Sequence, residues 1–474
     1  MKSISIEQVR SAARRNNGVK ALSAALMLSV FGLVSAPAVA QSAPADGPPP
    51  APAADAPPAN AQITSSSSQD ANATPQSGTD ILSRNTLSAL IDARLVVANG
   101  AQSFVNGGLG KTRFQGNGNG GFKARVVPAE GDIIWQPRFT GSLSANVSAG
   151  WQRDHQHGFG LMEAYLNFLP QERGTVSFSA RAGLMWPEIS LEHSTGGAWS
   201  TVYTITPSAI NSWVGEEVKV GGAEATLHAS LGEHQLSATA GIFGFNDTSG
   251  TLLSFRGWAL QDIKATAFAH FDLPPRDKFL TGAQQDVTRS TIEIDHRPGF
   301  YGRIDWRPPA PFGVAVFYYD NRGDPQAFTK VLQWGWRTRF LNVGVNADLG
   351  PNTKLLAQGM TGSTIMGFDV NNTPWVHTKF DSAYVLIAQT IDTFTVSGRV
   401  EAFGTHEHGS EMDPNNSENG WAMTVAARTN LTNHLMMFAE ALNVRSHRGA
   451  RVQLIGFEPF EAQTVFQIAL RYHL

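Results

Sequence analysis

Residues 464–474, TVFQIALRYHL, alternate without a break: Thr464, Phe466, Ile468, Leu470, Tyr472 and Leu474 share one face, and Val465, Gln467, Ala469, Arg471 and His473 the other. Side chains of a strand point alternately to its two faces, so one face is apolar to its end while the other carries Gln, Arg and His. Unpaired backbone beside an apolar face invites aggregation. Such a strand requires both a pairing partner and a cover.

The same pattern recurs upstream. TLSALIDARLVV (86–97) sets Leu87, Ala89, Ile91, Ala93, Leu95 and Val97 against Ser88, Asp92 and Arg94. LMEAYLNFL (161–169) opposes Met162, Ala164, Leu166 and Phe168 with Glu163, Tyr165 and Asn167. TVSFSARAGLMW (175–186) opposes Val176, Phe178, Ala180, Ala182, Leu184 and Trp186 with Ser177, Ser179 and Arg181. Between such segments, very short turns (TGS, PQERG, LGEH, PPAP, LGPN, DT, LTN) alternate with longer connections. The pattern parses into about sixteen strands, seven short turns and eight long loops. An even strand count lets a barrel close with both ends on one side, and about 25 residues per strand and connection suits membrane strands of roughly 10 residues. The expected fold is therefore all-β, a transmembrane antiparallel β-barrel with long external loops and short periplasmic turns, its oily outer face covered by lipid. The terminal strand closes the barrel against residues 86–97, and Phe466, Ile468, Leu470, Tyr472 and Leu474 form its outward closure face, which doubles as an insertion signal.

The N-terminus supplies the compartment. Arg10, Arg14, Arg15 and Lys20 precede the apolar run ALSAALMLSVFGLVSA, and Ala38-Val39-Ala40 is a small-x-small cleavage site. Residues 1–40 thus read as a secretory signal peptide. Residues 41–80, rich in Pro, Ala and Ser, have too little apolar bulk to fold and read as a disordered linker. Residues 81–474 form the barrel. Without the signal the chain carries 31 basic and 38 acidic groups, a formal net charge of −7, which argues against a nucleic-acid partner. The sequence has no cysteine, which excludes a disulfide framework and any Cys-ligated metal.

An export signal, a barrel pattern, the EAYL segment and a terminal QIALRYHL strand resemble the Gram-negative outer-membrane porins, in particular the sixteen-stranded kind that includes phosphate- and carboxylate-selective porins. Members of that group usually end in Phe, whereas this chain ends in Leu474. The resemblance implies a passive channel in the outer membrane of a Gram-negative bacterium, homotrimeric, inserted by the barrel-assembly machinery, with an external loop folded into the pore and no cofactor. Trp135, Trp151, Trp186, Trp306 and Trp421 fall near strand ends, as expected of rings at the lipid headgroups.

On this parity Asp92, Arg94, Glu163, Arg181, Arg303, Asp305, Arg307, Arg399, Glu401, Arg428 and Arg471 project inward as pore-lining and selectivity residues. Seven arginines against four acids favour anions in a narrow, low-dielectric path, unless each Arg is paired with an acid across strands. Arg337 and Arg339 lie where alternation breaks near Phe340, and their facing is open. Two long segments, 187–215 and 246–299, are candidates for the constriction, the second with a short helix expected in GWALQDIKATAF (257–268).

Other motifs carry less. GNGNGG, with Gly116, Gly118 and Gly121, sits in a turn-rich stretch without a following helix and reads as a loop. DHQHG (154–158) and THEHG (405–409) offer His-x-His pairs in expected external loops and read as solvated histidines rather than a metal site. The function expected is passive diffusion of small hydrophilic or anionic solutes, without catalysis. The alternative is an outer-membrane barrel enzyme, a protease or lipase, with an external active site.

Overall fold

A computed structural model describes residues 78–474 apart from 118–119, 155–157, 171–173, 195–196 and 413. The expected signal peptide and nearly all of the expected linker lie outside the described residues. Eighteen strands follow one another: β1 (Leu87–Ala98), β2 (Lys123–Trp135), β3 (Leu143–Gln152), β4 (Phe159–Phe168), β5 (Val176–Met185), β6 (Val220–Leu231), β7 (His234–Gly244), β8 (His270–Asp272), β9 (Val287–Arg289), β10 (Gly299–Arg307), β11 (Phe312–Asp320), β12 (Arg337–Gly350), β13 (Thr353–Val370), β14 (Thr373–Ile391), β15 (Phe394–Glu407), β16 (Glu418–Asn430), β17 (Leu435–Arg448) and β18 (Phe460–His473). All but β8 and β9 pair antiparallel with their neighbours in one closed barrel of sixteen strands; β8 and β9 form a small ribbon inside a loop. No described helix is long and apolar enough to cross a membrane.

Closure follows the expectation from the terminal alternation. β18 lies against β1 with Ile91 opposite Tyr472, Asp92 opposite Arg471 and Leu95 opposite Ile468. Phe466, Ile468, Leu470, Tyr472 and Leu474 are exposed on the outside, while Val465, Gln467, Ala469 and Arg471 are buried inside. The seam is stapled from within, because the Asp92 carboxylate meets Arg94 of its own strand at 2.9 Å and Arg471 of β18 at 3.1 Å. Around the wall the outward residues are apolar and exposed, for example Val126, Ile133, Phe178, Ile304 and Val425. A continuous oily exterior of this extent on a closed barrel is what a hydrocarbon solvent covers.

Connections alternate as expected. Seven short ones, at 136–142, 169–175, 232–233, 308–311, 351–352, 392–393 and 431–434, lie at the end where the chain enters β1 and leaves β18. Eight lie at the other end, but two of them are not long: 153–158 spans six residues, and the other is tighter still. Residues 371–372 form a two-residue turn between β13 and β14, whose 18 and 19 residues make a tall hairpin. Asn371 and Asn372 take φ of 51° and 64°, the left-handed conformation such a turn needs and which Asn tolerates best after Gly.

Three local readings are corrected. A bulge in β4 opposite Ser148 and Ala149 turns Met162 inward, where it is buried, and leaves Leu161 outside. Trp186 leaves the lipid-facing row at the end of β5 and is buried, stacked on Trp199 at 4.5 Å. Residues 257–268 form no helix, since their backbone amides bond to other segments: Leu260 N–H donates to Lys111 O, Ala265 N–H to Gly215 O and Ala267 N–H to Leu161 O. Helices in that loop lie at Thr251–Phe255 and Lys278–Ala283 instead.

Deleting residues 472–474 removes the ladder pairs that Tyr472 and His473 make with β1 and that Tyr472 makes with Leu435. The truncated chain is expected to accumulate unassembled, without heat-modifiable mobility on a gel, whereas Leu474→Phe, on an exposed outward position, assembles normally.

Candidate functional site

Asp92, Arg94, Glu163, Arg303, Arg399, Glu401 and Arg471 are buried inside the barrel, and Arg181, Asp305, Arg307 and Arg428 are half-buried there. Phe340 also points inward, which leaves its neighbours Arg337 and Arg339 exposed and out of the lumen. The inward groups do not form one open ring. Both long segments fold into the barrel, and the strand charges are engaged in holding them.

The connection at 186–219 crosses the lumen from β5 to the wall formed by β15–β18. Its helix α1 (Ala209–Glu217) is buried throughout, with Ser208 as N-cap. Helix N-termini leave unsatisfied N–H groups and favour negative charge. Two carboxylates supply it: Glu401 of β15 accepts from Ala209 N–H at 2.7 Å, and Glu192 of the loop accepts from Ser208 N–H at 2.9 Å and Asn211 Nδ2 at 2.6 Å. Arg399 lies between them, 2.7 Å from Glu192 and 2.9 Å from Glu401, and donates to Thr206 O and Pro207 O. Lower on the wall, Glu440 of β17 accepts from Ile205 N–H at 2.6 Å and from Thr206 N–H at 3.0 Å. The tip thus reaches Ser397, Phe438 and Arg471, near the short-turn end of those strands.

The connection at 245–298 packs on top. Its Arg256 pairs with Glu216 of α1 at 2.6 Å, and Glu217 accepts from Gly250 and Leu252 N–H. Asp262 pairs with Arg94 at 2.6 Å, and Lys264 reaches Glu130 and Asp132 of β2. Arg113, on the connection between β1 and β2, joins Asp262 at 3.1 Å. Both candidate segments, not one, therefore narrow the lumen.

A cavity of about 820 Å3 lies at the short-turn end, on the side formed by β3–β7 and β10, with Glu188 of the loop in its lining. Arg181 on its wall pairs with Glu224 at 2.6 Å, and Arg303 nearby pairs with Asp305 at 2.6 Å. Arg428, on β16, has no ion pair among the described residues; its guanidinium lies 5.6 Å from the Tyr203 ring centre.

Reading inward parity through β2, β6 and β17 would have found Glu130, Asp132, Glu224, His228 and Glu440. Glu192, Asp262 and Lys264 sit on aperiodic loops, and nothing local marks them. His406 lies within β15, 3.4 Å from Asp381, rather than in an external loop. The partner motif at 154–158 falls largely outside the described residues, as does part of GNGNGG. At the external end Asp247, Glu293 and Asp295 bring carboxylate oxygens within 4.8 Å of one another, but each accepts backbone N–H groups, and no further feature there points to an ion.

No protein-family model and no curated protein matches the chain. Among solved structures it is similar to the outer-membrane channel DcaP of Acinetobacter baumannii at 10% identity, with a TM-score of 0.51, over 83% of this chain and 99% of that one. The chain shares that channel's fold. An anion-selective porin from Comamonas acidovorans is also similar, at 10% identity, with a TM-score of 0.47, over 82% of this chain and 99% of that one.

Two outcomes follow from these contacts. Arg399→Gln leaves Glu192 and Glu401 buried with one cation lost, at a cost of about 3–5 kcal/mol. The loop should loosen, so chymotrypsin should cut the assembled variant at Tyr203 while the wild type is protected, and single-channel conductance should rise. Burial, with Asp295 and Glu293 nearby, pushes Asp247 up to about 7 despite the amides that hydrogen-bond to it. Its carboxyl thus holds a proton in the folded loop at pH values where an unfolded Asp, near 3.9, has lost it. Loop stability should fall as pH rises from about 4 to 7. Hydrogen exchange at the Ile294 and Asp295 amides, corrected for intrinsic rates, should show that loss of protection, and Asp247→Asn should flatten it.

Proposed function

We propose that the protein is a channel in the outer membrane of a Gram-negative bacterium through which small hydrophilic solutes diffuse passively. The observation that carries this reading is a closed barrel, oily outside, whose interior is polar and holds an 820 Å3 cavity beneath loops of its own chain. The expected pore-lining residues take their place in it as anchors for those loops as much as contacts for solute. Homotrimer formation and insertion by the barrel-assembly machinery belong to the same proposal, as does cleavage of residues 1–40.

Anion preference is the finer part. An arginine already matched by an acid adds little net field, so the bias rests on those that are not matched. Arg428 is the clear case: it stands near the short-turn end of β16, on the wall where the loop tip packs, with its guanidinium over the Tyr203 ring. Purified protein in a planar bilayer should give stepwise single-channel currents, and a salt gradient should give a modest anion-side reversal potential. Arg428→Gln should move that potential toward cations at 0.1 M salt and much less at 1 M, where the Debye length is about 3 Å. Absence of any conductance, with hydrolysis of peptide or lipid by the pure barrel, would replace this reading with the enzyme alternative.

A further inference from the structure

The cavity at the short-turn end has a wall unlike the rest of the lumen. Three adjacent strands, β5, β6 and β7, present two complete rows of uncharged hydrogen-bonding side chains. In one row Ser177 stands opposite His228 and His228 opposite Ser237; in the other Ser179 stands opposite Thr226 and Thr226 opposite Thr239. All six line the cavity. The rows are cross-linked: Ser179 Oγ lies 3.0 Å from His228 Nε2, His228 Nδ1 lies 2.9 Å from Ser237 Oγ, and the Thr226 and Thr239 hydroxyls are 2.8 Å apart.

The chemistry of that wall is amphoteric. A neutral imidazole donates through one nitrogen and accepts through the other, so of Ser179 and Ser237 one donates to His228 and one accepts from it. Each hydroxyl keeps spare donor or acceptor capacity toward the cavity. The next row up is a charge pair whose field is closed on itself: Arg181 meets Glu224 at 2.6 Å, and Glu224 also accepts from Tyr301 Oη at 2.6 Å. The cavity also meets charged side chains, but Arg181 is paired with Glu224, Asp305 with Arg303 and Arg138 with Asp80, so an ion entering here exchanges strong hydration for hydroxyls and for charges already matched within the wall. A polyhydroxylated solute exchanges water for groups that give and take protons as water does. Neighbouring strands stand about 4.8 Å apart, so two rows on three strands cover a patch on the scale of a sugar ring.

We infer that the hydroxyl–imidazole wall of β5–β7 is a binding site for neutral polyhydroxylated solutes of saccharide size, entered from the short-turn end. This inference rests on the channel reading and names the class of solute that the channel holds best.

The test uses the full assembled protein and maltose as probe, with a polyethylene glycol of matched hydrodynamic size as control. Maltose added on the short-turn side should reduce the salt current saturably, and the glycol should reduce it without saturation. The triple variant Ser179→Ala, Thr226→Val, Ser237→Ala changes only uncharged cavity side chains; its heat-modifiable mobility and salt conductance should match the wild type. Its half-blocking maltose concentration should rise roughly tenfold, the size expected when hydrogen bonds to a bound hydroxyl are lost. Isothermal titration with maltose, on the same detergent-solubilised samples, separates the two claims. Saturable binding without conductance would uphold this site and remove the channel reading. Normal conductance with no maltose binding, or with binding unchanged in the triple variant, would overturn the site and leave the channel standing.

Discussion

Everything in this molecule depends on one requirement of the hydrocarbon solvent: no backbone N–H or C=O may face it unpaired. A sheet meets that requirement only by closing, and β18 against β1 is where it closes. The demand on the exterior is then simply apolarity, and the alternation of each strand delivers it. The same alternation forces the other half of the side chains inward, and a barrel of sixteen strands is too wide for those side chains alone to fill. Something must occupy the space, and here it is mostly the chain's own loops.

Filling the lumen with loops creates its own difficulty, because loop backbone buried away from water also needs partners. The strands answer it with carboxylates. Glu401 and Glu440 accept amide N–H groups from residues 205–209, and Arg399 balances Glu401 and Glu192 while capping carbonyls with its remaining donors. A planar guanidinium with five donors suits this double duty better than a lysine would. The inward charges therefore act first as structural anchors. Their contribution to the field felt by a solute is what remains after pairing, which is why the lumen's charge count overstates its net potential.

The loops leave one side of the lumen open at the short-turn end. There the strands carry serine, threonine and histidine beside the Arg181–Glu224 and Arg303–Asp305 pairs, so part of the cavity is bounded by groups that resemble water in their bonding. The interior thus divides into a packed region, whose charges hold the loops, and a hollow one, whose charges are paired beside rows of hydroxyls; on the proposed reading the first positions the obstruction and the second receives the solute.

The barrel is written in the order of the residues. Period-two alternation is a property of adjacent residues, so strand number, turn positions, inward parity and the pairing of 464–474 with 86–97 are all legible in the order of residues alone. Where that local signal is interrupted, reading fails: the bulge that turns Met162 inward, the departure of Trp186 from the row at the end of β5, the unformed helix at 257–268 and the tight turn at 371–372. Which inward charges meet is set by folding and not by local pattern. Arg399 finds Glu192 across more than two hundred residues, and Arg94 finds Asp262 on a loop with no periodicity. Parity states that a side chain faces the lumen, but its partner there depends on how far each loop descends, which is settled by packing between segments distant in the chain.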